Sequence, residues 1–265
     1  MLNENNIDGV LYMTSPDIDT PHAFTTRIGG VSEGIYKSLN LGQNLGDKRE
    51  NVQTNYDCLC NAIGITNDDL VFSRQVHEAN IRVVRGADRG SLKCAALPCA
   101  DGLITNEPNV ALTVFTADCV PILLYDPVNR VIGAVHSGWR GTAANIAGIA
   151  IKKMESEFGC EGANIIAAIG PCISKCCFET DNDVVDSMKN CLGDIASQCY
   201  DAGDTKFFVD LKKANQLLLI NAGVKSIAIS NECTYCSGDT YWSHRRLGTN
   251  RGSQAAVITM QLSEL

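Results

Sequence analysis

The chain has 265 residues, 45% of them hydrophobic and 20% charged, the balance of a globular protein long enough to bury a substantial core. Its 22 basic and 30 acidic residues give a net charge of −8, which argues against a general nucleic-acid binder because phosphate backbones need net positive surface. A local cluster of arginines could still hold a small anion. The start, Met1 to Asn6, is polar and lacks the basic and apolar regions of a signal peptide. No apolar run approaches the roughly 18–20 residues of a membrane span. The expectation is a soluble, cytoplasmic protein without a membrane partner.

In chain order, Arg27 to Ser32 is a glycine-containing turn, and Asn40-Leu41-Gly42 and Gly46-Asp47 add more turn chemistry. Asp47 is placed to cap a helix from Lys48 through Asn61, with Gly64 closing it. Val110 to Phe115, Val120 to Tyr125 and Val131 to His136 are short apolar runs rich in β-branched residues and read as strands. Asp126-Pro127-Val128-Asn129 reads as the hairpin turn between the last two. After Gly141-Thr142 an amphipathic helix puts Ile146, Ile149, Ala150, Met154 and Phe158 near one face and Lys152, Lys153, Glu155 and Glu157 away from it. Gly159 is its natural stop. A strand at Ile165 to Ile169 follows, then a helix near Asn182 to Cys191, a strand at Phe207 to Val209, and a helix from Leu211 to Ala222 stopped by Gly223. Ser226 to Ser230 and Ala255 to Met260 read as late strands. No repeat or Pro/Ser/Gly-rich linker divides the chain, so residues 1–265 read as one domain. The class is α/β in the broad sense (α+β), with mixed sheets covered by helices.

Thirteen cysteines without an export signal read as buried thiols rather than a disulfide framework. The pairs Cys58/Cys60, Cys176/Cys177 and Cys233/Cys236 are read the same way, since Cys packs as a small hydrophobe. Cys233 and Cys236 have C-x-x-C spacing, but no second such pair completes a zinc ribbon, and no clear βαβ context supports a redox site.

Histidine is scarce: His22, His77, His136 and His244 are all there are. Gln75-Val76-His77, Thr116-Ala117-Asp118-Cys119 and Ala134 to Gly141 stand out as walls of a candidate site. Cys119 falls between two expected strands and His136 at the end of one, where a rigid scaffold can position chemistry. Two imidazoles and a thiolate suit zinc, and three protein ligands leave a coordination position open. The separations along the chain are unlike those of a zinc finger, so spacing adds nothing. Cys119 with His136 could instead be a metal-free Cys–His hydrolase pair, and Cys172, after Gly170-Pro171, an alternative nucleophile.

The segments Thr116 to Pro127, Ala134 to Thr142 and Ile169 to Ile173 closely resemble the YfiH-like family, also called the laccase-domain or multicopper polyphenol oxidase family. The resemblance continues at Phe24 to Ser32, Ser38 to Gly42 and Gln75 to His77, and ends with Ser243 to Arg246 and Thr249 to Arg251. It runs in order over nearly the whole chain. It implies a layered α-β-β-α sandwich. It also implies a purine nucleoside enzyme that phosphorolyses adenosine, inosine and methylthioadenosine and deaminates adenosine. The metal ligands carry over onto His77, Cys119 and His136. The older laccase label implies copper and phenol oxidation, but several coppers need many imidazoles, so zinc is the expected cofactor and copper the alternative.

Hydrolytic deamination at C6 of adenine suits zinc, which lowers the pKa of a coordinated water to about 7. Cys119 and His136 are then catalytic as well as ligating. Zinc deaminases also use a carboxylate that shuttles protons. Asp118 is a candidate, with a structural loop-bonding role as its alternative. Glu78 is a second candidate, although the family commonly has Gly there. Phosphorolysis needs a phosphate site, and arginine forks match phosphate oxygens. Candidates are Arg27, Arg140, Arg245, Arg246 and Arg251. If extended, Arg245 and Arg246 would point in opposite directions. Asn250 stands where the family commonly has Gly and would keep the turn through its tolerance of a left-handed backbone. Purine nucleoside and phosphate are the expected small-molecule partners, and the oligomeric state is left open.

Overall fold

Val120–Asp126 and Val131–Ser137 form the antiparallel hairpin that the apolar runs predict. Asp126 closes it, accepting the backbone N–H groups of Val128 and Asn129 on one carboxylate oxygen, the local bonding that makes Asp a turn residue. Both strands are buried on both faces, which is why they read as continuous apolar runs rather than as alternation. The period-2 geometry of a strand still separates the faces: Ile122 and Leu124 pack into one core cluster and Leu123 into another. The computed structural model describes residues 1–94 and 96–261.

Two six-stranded sheets result. The first runs, in spatial order, Asn3–Ile7, Val10–Thr14, His22–Thr25, Gln254–Ile258, Ala111–Thr116 and Leu70–Val71. The second runs Ser226–Ile229, Ile166–Ile169, Val120–Asp126, Val131–Ser137, Gly102–Thr105 and Ile81–Val83. Both are mixed, as expected. Leu70–Val71 is parallel to Ala111–Thr116 in the first sheet, Ile166–Ile169 is parallel to Ser226–Ile229 in the second, and antiparallel pairs dominate both.

The core clusters define the layers. Phe24, Leu112, Val114 and Ala256 of the first sheet meet Leu103, Leu123, Ile132 and Ala168 of the second, an interior between sheets. The outer face of the first sheet, with Ala111, Ala255 and Val257, packs under Val52, Tyr56 and Leu59 of the helix Arg49–Ile63. The outer face of the second packs under the helices Ile146–Phe158, Asn182–Leu192 and Leu211–Asn221. This is the α-β-β-α sandwich that the resemblance implied.

Several local expectations change. The helix Arg49–Ile63 ends at a left-handed Gly64 as read, but its N-cap is Lys48. Asp47 instead joins Ser32 and Asn40, accepting from both on Oδ2. Ile149 is 36% exposed, because Ala147 and Ile151 complete the buried stripe in its place. The N-terminal strand Asn3–Ile7 carries no signal in the sequence because it is an exposed polar edge with no apolar alternation. No helix among the described residues is long and apolar enough to cross a membrane.

Leu123 is fully buried between the sheets. Leu123→Ala is expected to destabilise the fold by about 2–5 kcal/mol, read as a lower urea midpoint with an unchanged slope.

Candidate functional site

The site forms where the chain crosses between sheets. Leu70–Val71 lies in the first sheet and Ile81–Val83 in the second, and His77 sits on the crossing. Ala111–Thr116 lies in the first and Val120–Asp126 in the second, and Cys119 sits on that crossing. His136 stands near the end of Val131–Ser137, beside Pro121 in register. Both crossings turn through left-handed non-glycine residues, His77 at φ 61° and Asp118 at φ 88°. Such backbone persists only where its surroundings over-determine it.

Asp101, which no sequence pattern singled out, supplies that constraint at His77. Its carboxylate is fully buried and accepts the backbone N–H groups of Val76, His77 and Glu78 at 3.1, 2.9 and 3.0 Å. The same carboxylate meets His136 Nδ1 at 2.8 Å, and the His136 backbone N–H donates to the Asp101 carbonyl. Burial alone would raise the Asp101 pKa, but the bonds from His136 and from the loop hold it below the ordinary value. One carboxylate thus fixes the His77 loop and the His136 ring together.

The three side chains converge. Cys119 Sγ lies 3.9 Å from His77 Nε2, the two imidazoles stand edge to face with centroids 4.8 Å apart, and all three donor atoms lie within 4.8 Å of one another. Zn–S of about 2.3 Å and Zn–N of about 2.0 Å in a tetrahedron separate sulfur from nitrogen by about 3.5 Å, so the set is sized for one ion. With Nδ1 given to Asp101, His136 keeps Nε2 as its other donor, the arrangement in which a carboxylate orients a metal-binding imidazole. Gly138 leaves the room: a Cβ there would lie 3.1 Å from His77 Cδ2 and 3.3 Å from Cys119 Sγ.

Electrostatics favour a thiolate. Burial would raise the Cys119 pKa, but the charge of His136 and hydrogen bonds from both imidazoles bring it down to about 6. Burial would lower His136, but the Cys119 charge and the Asp101 hydrogen bond raise it to about 9. Without a metal the pair is therefore thiolate and imidazolium at neutral pH.

Asp118 is tied to the protein. Its Oδ1 accepts from Thr234 Oγ1 and its Oδ2 from the Arg245 backbone N–H, both at 2.6 Å. This is the loop-bonding arrangement of the two considered for it. Glu78 is exposed and accepts from Asn80 on Oε2.

A cleft of about 1010 Å³ opens beside the site, with His77, Cys119, His136, Arg251 and Phe115 among its lining residues. Of the candidate arginines, Arg251 alone lines it. Arg49 and Arg74 also line it and were not singled out in the sequence. Arg251 gives Nε to His244 Nδ1 and Nη1 to the Gly252 carbonyl, and no protein acceptor takes Nη2 among the described residues. Arg27 is spent on the Lys37 and Gly238 carbonyls and stacks on Trp242. Arg140 stacks on Trp139. Arg245 and Arg246 lie on a single helical turn, His244–Leu247, not on extended chain. Arg245 reaches the Cys177 and Glu179 carbonyls, and Arg246 that of Tyr235. Gly248, not Asn250, is the left-handed residue of that turn.

The other candidates lie elsewhere. His22 is a buried core residue whose Nε2 accepts the Ser15 N–H. Cys172 is fully buried, and burial pushes its thiol far up, so it is no nucleophile.

A family model described as "Multi-copper polyphenol oxidoreductase laccase" matches residues 21–261. The chain belongs to this family. It is 37% identical over 237 residues to a purine nucleoside phosphorylase of Bacteroides thetaiotaomicron, covering 87% of this chain and 88% of that one. It is 35% identical over 245 residues to adenosine deaminase RL5 of an unknown prokaryotic organism, covering 89% and 92%. The crystal structure of YlmD from Geobacillus stearothermophilus superposes with a TM-score of 0.92 at 34% identity, covering 97% and 98%. The family and its purine-active relatives make this chain an enzyme.

The Asp101 arrangement has a measurable consequence. Asp101 holds the proton on His136, and His136 lowers Cys119. In Asp101→Asn the imidazolium loses its proton at lower pH, so Cys119 loses its cation and its pKa rises from about 6 toward the ordinary thiol value of about 8.5. In metal-free protein, the pH midpoint of Cys119 alkylation, followed by peptide mass spectrometry, is expected to move up accordingly.

Proposed function

We propose that this chain is a zinc-dependent purine nucleoside enzyme. It phosphorolyses adenosine, inosine and methylthioadenosine to the free base and the (methylthio)ribose 1-phosphate, and it deaminates adenosine to inosine. One observation carries the reading: His77, Cys119 and His136 converge in a cleft that Arg251 also lines. Its relatives, a purine nucleoside phosphorylase and an adenosine deaminase, point to both reactions.

His77, Cys119 and His136 would hold the ion. When bound, zinc supplies a Lewis acid with an open position. Copper clusters fit these residues poorly. Of the four histidines, His22 is tied into the core and His244 accepts from Arg251, which leaves too few imidazoles for several coppers.

The remaining roles follow from placement. Asp101 holds the His136 ring and the His77 loop in register, so the donors need no reorganisation. Asp118 positions Cys119 by tying the crossing to Thr234 and Arg245. Arg251 keeps Nη2 available for an anion, and we assign it the phosphate. Phosphate held there would attack C1′ of the ribose as the glycosidic bond breaks and its electron pair passes to the purine. Phe115, half-buried at the cleft, gives it an aromatic group suited to a purine face.

A second reading has its own support. Asp101, His136 and Cys119 lie in line as an acid, an imidazole and a thiolate, the order of a metal-free cysteine hydrolase. Chelation separates the two: the zinc reading expects activity to vanish with the metal and return with it.

Purified metal-loaded protein incubated with adenosine and phosphate is expected to give free base and ribose 1-phosphate. Without phosphate it should give inosine. No turnover of adenosine, inosine or methylthioadenosine would rule the reading out. Cys119→Ala should lose the metal of this site and both activities together, and retained activity would refute a shared site. Arg251→Ala should raise the KM for phosphate about 10- to 100-fold, the equivalent of about 1.5–3 kcal/mol for a hydrogen bond to a charged group, while deamination is spared.

A further inference from the structure

Cys176, Cys177, Cys233 and Cys236 come together on the surface away from the cleft, their four sulfurs within 4.8 Å of one another. Cys176 lies 3.5 Å from Cys177 and 3.8 Å from Cys236, and Cys177 lies 3.3 Å from Cys236. We propose that these four thiols form a second, purely structural zinc centre. No comparable second C-x-x-C pair exists in the sequence. The partner of Cys233-x-x-Cys236 is the adjacent pair Cys176-Cys177, brought in by the fold.

The distances select the chemistry. A disulfide needs sulfurs about 2.0 Å apart, and all four cysteines are free. A tetrahedral zinc with Zn–S of about 2.3 Å sets its sulfurs about 3.8 Å apart, close to the spacing here. An iron–sulfur cubane attaches each thiolate to a different iron and spreads them wider than this cluster.

The buried-hydrophobe reading fails for this group. Cys233 is buried and Cys177 half-buried, but Cys176 and Cys236 are exposed, and two exposed thiols gain nothing as hydrophobes by joining the cluster. Two further features favour an anionic centre. The Ser174 N–H donates to Cys233 Sγ at 3.3 Å, the kind of bond that steadies a ligating thiolate. Beside it, Lys212 is buried with its ammonium on three neutral oxygens, Ser174 Oγ and the Ser230 and Glu232 carbonyls. No carboxylate pairs with it among the described residues. A buried ammonium without a counter-charge is costly; a zinc with four thiolates carries a net negative charge and supplies one.

All four positions would be filled by protein, so this ion does no chemistry. It staples the turn before Glu179–Thr180 to the turn before His244–Leu247. From that staple Thr234 and Arg245 reach Asp118, and Cys177 offers its carbonyl to Arg245. The second centre thereby steadies the crossing that carries Cys119.

The test counts zinc in full-length protein purified with zinc under reducing conditions and dialysed against a weak chelator. Cys119→Ala is expected to keep about one zinc per chain. Cys119→Ala combined with Cys177→Ser and Cys236→Ser is expected to keep none. Zinc-free Cys119→Ala, or a combined variant that keeps its zinc, would overturn the proposal, as would several irons per chain. A readout that does not depend on the combined variant's folding is cobalt loaded into Cys119→Ala: intense sulfur-to-cobalt charge-transfer and tetrahedral ligand-field bands support the centre, and a spectrum of octahedral aqueous cobalt overturns it. Because Cys119 is absent throughout, purine activity plays no part in the result.

Discussion

A carboxylate with no access to water has to be surrounded by donors, and at Asp101 those donors are the active parts of the molecule. Three consecutive backbone N–H groups and one imidazole converge on it. The three N–H groups can align only if the chain turns sharply, which holds His77 in a left-handed conformation. The imidazole, by giving Nδ1 to the carboxylate, presents its other nitrogen toward Cys119. Desolvation is the cost of burying this charge, and the bonds that offset it are the ones that build the site. Remove the carboxylate and the loop, the ring and the thiolate lose a common reference.

The sandwich gives this arrangement its rigidity. Its interior is filled from both sheets by Leu112, Val114, Leu123, Ile132 and Ala168, so the sheets cannot slide without opening the core. The cleft lies on the side of the helix Arg49–Ile63, where Tyr56 and Phe115 also belong to the outer core. Phe115, which lines the cleft, is thus part of the same packing that seats the helix on the first sheet. On the opposite side of Cys119, Asp118 hands the crossing to Thr234 and Arg245, two segments far away in the chain.

Much of the fold was legible in the sequence because its signals are local. The central hairpin, the helix ending at Gly64 and the helix ending at Gly159 follow from apolar periodicity and from glycine taking a left-handed backbone. The donors His77, Cys119 and His136 were legible as residue types at strand ends and through the family resemblance, and the structure brings them together. Asp101 was not legible: a lone acid before a short apolar run has no spacing that announces an imidazole from a different strand. The roles of the arginines were not legible for a related reason. Arg27, Arg245 and Arg246 bind backbone carbonyls that hold turns, and a sequence does not distinguish an arginine that grips a loop from one that grips a ligand. The meeting of Cys176 and Cys177 with Cys233 and Cys236 was not legible because proximity across 56 or more residues is a property of topology, as the separation of Cys177 from Cys236 by 59 shows.

Two of the three donors ride on segments that pass from one sheet to the other. Neither sheet alone holds more than part of the set, so the ligands share a common centre only after the two layers have docked. Ion binding at this site would therefore report on completed assembly. A chain whose sheets have formed but not joined would present an isolated imidazole or thiol, with an affinity for the ion too weak to compete for it. An ion held here would be captured only once the layers have docked, and its loss would be an early sign that they have begun to part.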